Sequence, residues 1–171
     1  MPSGVYGLGI IMKIYSDDPN VPYKSTEINF MHTKSQIDGL LAEWGVRDSM
    51  WHWAPEDADI FIEFKFTEVI EGITVSPVIR VYALLIWDHK KRGKDTEAVN
   101  WNISLRLMFW FIKTHMEVAY LTQSSKTAAF LPYIKANEEG EQLHKVVIRN
   151  LERIQGMPAL PEFPVLERGG S

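Results

Sequence analysis

Apolar positions recur along this chain with two different periods, and the switches between them mark out its elements. Residues 59–66 alternate: Ile60, Ile62, Phe64 and Phe66 share one side of an extended chain, and Phe61, Glu63 and Lys65 share the other. Residues 49–53 form a shorter strand before it, in which Trp51 and Trp53 point one way and His52 the other. The turn chemistry of Ala54-Pro55-Glu56-Asp57 separates the two strands. A longer β-rich stretch covers 73–86 after a reversal at Glu71-Gly72, with Val75, Ile79 and Val81 in alternation. Pro77 confines its first half to an edge or a bulge, because proline cannot donate to a strand ladder. Residues 10–15 and 26–31 read as further short strands.

The helical period appears three times. Ile37, Leu40, Leu41 and Trp44 fall at i, i+3, i+4 and i+7, with Thr33 and Gln36 as a capping box ahead of them and Gly45 just past the end. The longest helix is expected over 97–121, opened by Asp95 or Thr96. It is apolar around most of its circumference, apart from a polar stripe of Asn102, Arg106, Lys113 and Glu117. Such a helix must be covered on most sides, which puts it across the sheet at the centre of the core. Ser124 or Ser125 starts a short helical piece ahead of Pro132, and residues 141–155 carry a last amphipathic helix through Leu143, Val146, Val147, Leu151 and Ile154. The expected fold is therefore α+β: a single domain over 1–156, with a three-stranded or slightly larger antiparallel sheet, a long central helix covering it, and helical C-terminal pieces. The proline-rich end, 157–171, reads as a flexible arm or an appended remnant.

Composition narrows the chemistry. The 171 residues carry 18 Lys plus Arg against 22 Asp plus Glu, so the net charge is 18 − 22 = −4, which argues against a purely electrostatic nucleic-acid binder while leaving room for a local basic groove. The chain has no cysteine, which removes disulfide scaffolds, iron–sulfur clusters and thiol nucleophiles and fits a cytoplasmic setting. No basic segment precedes the apolar residues 7–12, so a signal peptide is not expected; the longest apolar run, 107–112, is far short of a membrane span. The five histidines, His32, His52, His89, His115 and His144, have no metal-binding spacing, and no resident metal or other cofactor is expected. There is no phosphate loop and no G-x-S-x-G elbow.

Two constellations remain. Lys90, Lys91, Arg92 and Lys94 place four cations in five positions, just after Trp87 and His89. Clustered cations beside an aromatic ring are what a single strand of nucleic acid requires, phosphate by charge and base by stacking. Arg106 and Lys113 would extend this strip if their stripe faces solvent. A solvated hairpin tip is the plain alternative. The second constellation is Glu63-Phe64-Lys65, an E-x-K on a strand, with Asp48 fifteen residues earlier and nearly opposite Glu63 or Phe64 across the hairpin. This group, with its order of helix then strands, resembles the core of the PD-(D/E)xK nucleases. That resemblance implies acids holding Mg²⁺ and a lysine that helps activate water. Two charges on the outside of a half-buried sheet would look the same. The tryptophans are ordinary core candidates, with Trp51 and Trp53 the better placed for an exposed groove wall.

A wider resemblance covers residues 22–151. The run Thr33-Lys34-Ser35-Gln36-Ile37, Leu40-Leu41 and Trp44-Gly45-Val46, then residues 59–66, Asn100-Trp101, Ile112-Lys113 to Glu117-Val118, and Ala129-Phe130-Leu131-Pro132-Tyr133-Ile134, is similar to a widespread family of small proteins of phages, prophages and mobile elements that carries no assigned activity. The resemblance implies an accessory role on nucleic acid or on the virion. A three-stranded sheet under a long helix also looks like the core of phage single-strand annealing proteins, by fold alone. The leading expectation is a non-catalytic protein that binds or anneals nucleic acid, single-stranded DNA above all, in a salt-sensitive way. The alternatives are a Mg²⁺-dependent nuclease and a structural protein-interaction module, with self-association as its default form.

Overall fold

Asn29 opens the first helix of the computed structural model, which describes residues 12–89 and 96–146. A short strand β1 (Ile14–Tyr15) leads to helix α1 (Phe30–Glu43), and the side chain of Asn29 accepts from the Met31 N–H. The expected start at Thr33 is corrected. Thr33 lies inside the helix, fully buried, and its Oγ1 has no hydrogen-bond partner among the described residues. Asn29 outcompetes it as a cap because Asn holds the extended backbone a cap requires. Residues 26–29 are irregular, not a strand. The far end behaves as expected. Gly45 takes φ +80°, its N–H reaches the Ala42 carbonyl, and the Val46 N–H reaches that of Leu41, a Schellman ending.

Strand β2 (Asp48–Ala54) runs through a 3-10 turn (Pro55–Asp57) into β3 (Asp59–Lys65), with Asp48 opposite Lys65 and Trp51 opposite Ile62. A small hairpin, β4 (Glu68–Ile70) and β5 (Ile73–Val75), stands apart, and Pro77 separates it from β6 (Val78–Tyr82). Proline thus splits the long β-rich stretch as its missing N–H requires. Strand β6 pairs antiparallel with β3, so the main sheet has the order β2-β3-β6. The chain leaves this sheet at 83–85 and forms β7 (Ile86–Asp88), which pairs parallel with β1 and antiparallel with β8 (Ala98–Val99). Helix α2 (Trp101–Leu121) follows, with Asn100 as its cap. Asp95 and Thr96 therefore do not open it, because residues 98–99 are taken by the small sheet. Ser125, one of the two serines expected to start this piece, caps α3 (Lys126–Ala129). Gln142 bridges to Lys135, so helical residues begin at 143 rather than 141; the rest of the expected last helix and the tail lie outside the described residues.

The core lies between the main sheet and the two long helices. Ile60, Ile62, Phe64, Ile79 and Val81 of the sheet meet Ile37 and Leu41 of α1 and Leu105, Met108, Ile112 and Met116 of α2. The α+β class and the central helix over an antiparallel sheet are as the periodicity requires. The polar stripe of α2 is a different matter. Asn102 accepts from the Phe30 N–H at the start of α1, and Arg106 donates to Gln36 at 2.7 Å. This half of the stripe is where α1 docks, because polar groups on a covered helix need partners on the covering element. The hairpin β4–β5 is tied down by Glu68, whose carboxylate accepts from the N–H groups of Lys126 and Thr127 and from the Thr127 hydroxyl. Burial would raise its pKa, but these bonds, with Lys126 nearby, outweigh burial and hold it below the usual value.

The small sheet is held by a second polar tie. Glu97 accepts from Lys13 at 2.7 Å and from the Tyr15 hydroxyl at 2.8 Å. The hydrogen bond from Lys13, then that from Tyr15, holds the Glu97 carboxyl below its ordinary value, while the same bonds hold Tyr15 and Lys13 above theirs. A lowered carboxylate stabilises the tie above the ordinary carboxyl range and loses it as pH falls through its folded value. A raised phenol or ammonium does the reverse at the alkaline end. The amide NMR shifts of Ile14 and Tyr15 should therefore be flat through neutral pH. They should move toward random-coil values as pH falls below the ordinary carboxyl range and as it rises past the ordinary phenol range. Glu97→Gln should remove the acid step; an acid step unchanged in that variant would contradict the assignment.

Candidate functional site

Alternation along three paired strands gives the main sheet two faces, and the face away from the helices carries the chemistry. Register places its residues in cross-strand rows. His52, Phe61 and Tyr82 form one row; Met50, Glu63 and Arg80 the next; Asp48, Lys65 and Val78 the third. In the first row the His52 and Phe61 rings stack at 4.7 Å, and Phe61 and Tyr82 lie 5.2 Å apart. Tyr82 is 45% exposed and Met50 57%.

The middle row is electrostatic. Glu63 is buried, at 8% exposure, and accepts from Arg80 Nε at 2.8 Å, with Arg80 Nη2 at 2.5 Å and Lys135 Nζ at 3.4 Å. Arg80 also donates to the Tyr82 hydroxyl and lies over the Phe61 ring at 4.4 Å. Burial would lower the guanidinium's pKa; the bonds to Tyr82 and Glu63 outweigh it and hold it above its ordinary value. Lys135 arrives because residues 134–135 run beside β6, Ile134 bridging Ile79 and the Lys135 N–H reaching the Val78 carbonyl. The turn that follows closes over Arg80 at Gly140, where φ is +82° and a Cβ would run into the guanidinium. Two cations thus bracket one carboxylate. In the neighbouring rows Lys65 pairs with Asp48 at 3.5 Å, and His52 meets Asp59 at 3.1 Å.

The residues expected to carry chemistry divide sharply. Asp48, Glu63 and Lys65 all line one open cleft of about 400 Å³ beside Arg47, Ser49, Met50, Phe64 and Val78. Their register differs by a step from expectation, since Asp48 faces Lys65 and not Glu63 or Phe64. Glu63 already has two cations on it, and among the described residues no three His, Asp or Glu side chains cluster to hold a metal ion. Lys90, Lys91, Arg92 and Lys94 lie outside the described residues. Trp87 is half-buried in β7 with Lys13 Nζ 4.3 Å from its ring centre. Arg106 is spent on Gln36 and on the Phe109 and Trp110 rings; Lys113 pairs with Glu117 on its own helix.

Trp51 and Trp53 correct an expectation. They face the core, half-buried, with Trp51 donating to Asp38 and Trp53 stacked on Phe30. Helix α1 covers their face of the edge strand, so they wall no groove. The residue between them, His52, points to the open face instead. Arg80, Tyr82 and Lys135 went unremarked in the sequence. For the first two a signal existed, because they alternate with Ile79 and Val81 and so belong opposite the core. Lys135 had none; it reaches the face only through tertiary pairing.

No helix among the described residues is long and apolar enough to cross a membrane. No protein-family model, curated protein or solved structure matches this chain.

Proposed function

We propose that this protein binds single-stranded nucleic acid without cleaving it, along the open face of the main sheet. The supporting observation is the adjacency of an aromatic row, His52–Phe61–Tyr82, to a row in which Arg80 and Lys135 bracket the single carboxylate of Glu63. The two exposed rings of the row, His52 and Tyr82, give bases a surface to stack on, at about 1–3 kcal/mol per base. Of the two cations Lys135 is the more exposed, at 21%, and is the one placed to hold phosphate. The salt bridge fixes Arg80 against Phe61 and Tyr82, so the surface is pre-ordered and little side-chain entropy is lost on binding. This reading also agrees with the nucleic-acid setting that the phage-family resemblance implies.

Fluorescence anisotropy with labelled single- and double-stranded oligonucleotides tests it. Binding should favour the single strand, and Tyr82→Ala should weaken it about tenfold or more. The salt dependence separates the sheet from the basic segment of Lys90, Lys91, Arg92 and Lys94. A face that neutralises one or two phosphates gives a slope of log K on log salt of about −1, whereas the four cations of the basic segment would bring it to about −3. A steep slope abolished by reversing Lys90, Lys91 and Arg92 to Glu would move the site to that segment. No binding at low salt would end both versions. The nuclease reading is favoured by one observation, the shared cleft of Asp48, Glu63 and Lys65. Shortening of the oligonucleotide in Mg²⁺, lost in Glu63→Gln, would establish it instead.

A further inference from the structure

Strand β2 is an edge of the main sheet; among the described strands it pairs with β3 on one side and with nothing on the other. Such an edge presents a row of unpaired N–H and C=O groups, and proteins usually blunt it with lysine, proline or a bulge. Residues 48–54 contain no lysine and no proline, and all seven pair with β3 in unbroken register. Ser49, Met50 and His52 are exposed along it.

The charges at its two ends are opposite. Arg47 precedes the strand, and Glu56 and Asp57 follow it. All three are exposed, and none has an ion-pair partner among the described residues. From these observations we infer that β2 is a self-pairing edge, which joins a second copy of this chain antiparallel about a two-fold axis at Trp51. Full overlap of a seven-residue strand with its own copy requires this centre. Residue numbers in opposing positions then sum to 102, so Met50 faces His52, Ser49 faces Trp53, and Arg47 lies beside the partner's Pro55–Asp57 turn. Both ends of the interface gain an Arg–carboxylate contact by the same symmetry operation.

Side-chain direction agrees with this register. Opposing residues share a face in an antiparallel pair, and 50 with 52, or 51 with 51, have the same parity. The helix-covered faces of the two copies therefore lie on one side. Their open faces merge into one, six strands wide, with the exposed Met50 thioether of each copy against the partner's His52 ring. Helix α1 does not block the approach, since its contacts with Trp51 and Trp53 are on the core face. This pairing does not depend on the nucleic-acid reading; a dimer that binds no oligonucleotide would leave it intact.

The test is a charge exchange on the full chain, read by sedimentation equilibrium at low ionic strength, with circular dichroism to show that each variant is folded. The unaltered protein should be a concentration-dependent dimer. R47E, and separately E56K/D57K, should each raise the dissociation constant about tenfold, because each sets like charges together at both ends. Mixing the two variants should restore unaltered affinity, since each end of the mixed dimer then pairs opposite charges. A protein that is monomeric at every concentration would overturn the inference. So would a dimer indifferent to both variants, or variants that fail to complement each other on mixing.

Discussion

Phe130→Ala is expected to lower the free energy of unfolding by about 3–5 kcal/mol, the range for deleting a fully buried aromatic ring. Phe130 has no solvent exposure, although it lies just past the four-residue helix α3, in a part of the chain with little regular structure. Its ring meets Phe64 edge-on at 5.5 Å, lies 6.4 Å from Phe66, and stacks with His115 at 5.1 Å. It therefore locks the end of α2 and the C-terminal segment to the central strand. Removing it opens a cavity that the sheet on one side and a 21-residue helix on the other cannot collapse to fill. Phe130→Leu keeps most of the volume and should cost about 1.5 kcal/mol. Urea unfolding followed by circular dichroism measures both; a loss below about 1.5 kcal/mol for the alanine variant would mean that the segment is not part of the cooperative core.

Glu63→Ala should cost about 3 kcal/mol, as removal of one partner from a largely buried ion pair does. The Glu63 side chain is 11% exposed and the Arg80 side chain 13%, so the guanidinium left behind is poorly hydrated. A guanidinium stays protonated in proteins, so it cannot escape by losing its proton. Lys135 escapes more easily, because its contact with Glu63 is the longer one, at 3.4 Å, and its greater exposure lets the ammonium turn to water. The double variant Glu63→Met with Arg80→Met should recover more than half of the loss, because it removes the stranded charge as well as its partner. Thermal and urea melts decide this. A Glu63→Ala protein within about 0.5 kcal/mol of the original would show that the three-residue bridge contributes nothing net. The same variants bear on function, since Glu63 holds Arg80 against the Phe61 and Tyr82 rings and so orders the aromatic row.

The candidate site shows how a strand pattern and its register divide the work. Alternation put Phe61, Glu63 and Lys65 on one face, and it placed Trp51 with Trp53 and His52 opposite; the structure agrees in each case. Alternation does not say which face is covered. The tryptophans turn inward because α1 lies over their side, and nothing in residues 49–53 encodes where α1 packs.

Local chemistry by itself determined the α+β class, the hairpin at Pro55, the break at Pro77, the helix ending at Gly45 and a serine start for α3, because each depends on the backbone preferences of residues close in sequence. It misjudged the openings of α1 and α2, where an asparagine a few residues away made the better cap. Tertiary structure alone decided the rest. Arg80 meets Glu63 from seventeen residues away and Lys135 from seventy-two, and Arg106 turns toward Gln36 across seventy. Such meetings depend on strand register and helix docking, which are set by how all the apolar faces are buried together.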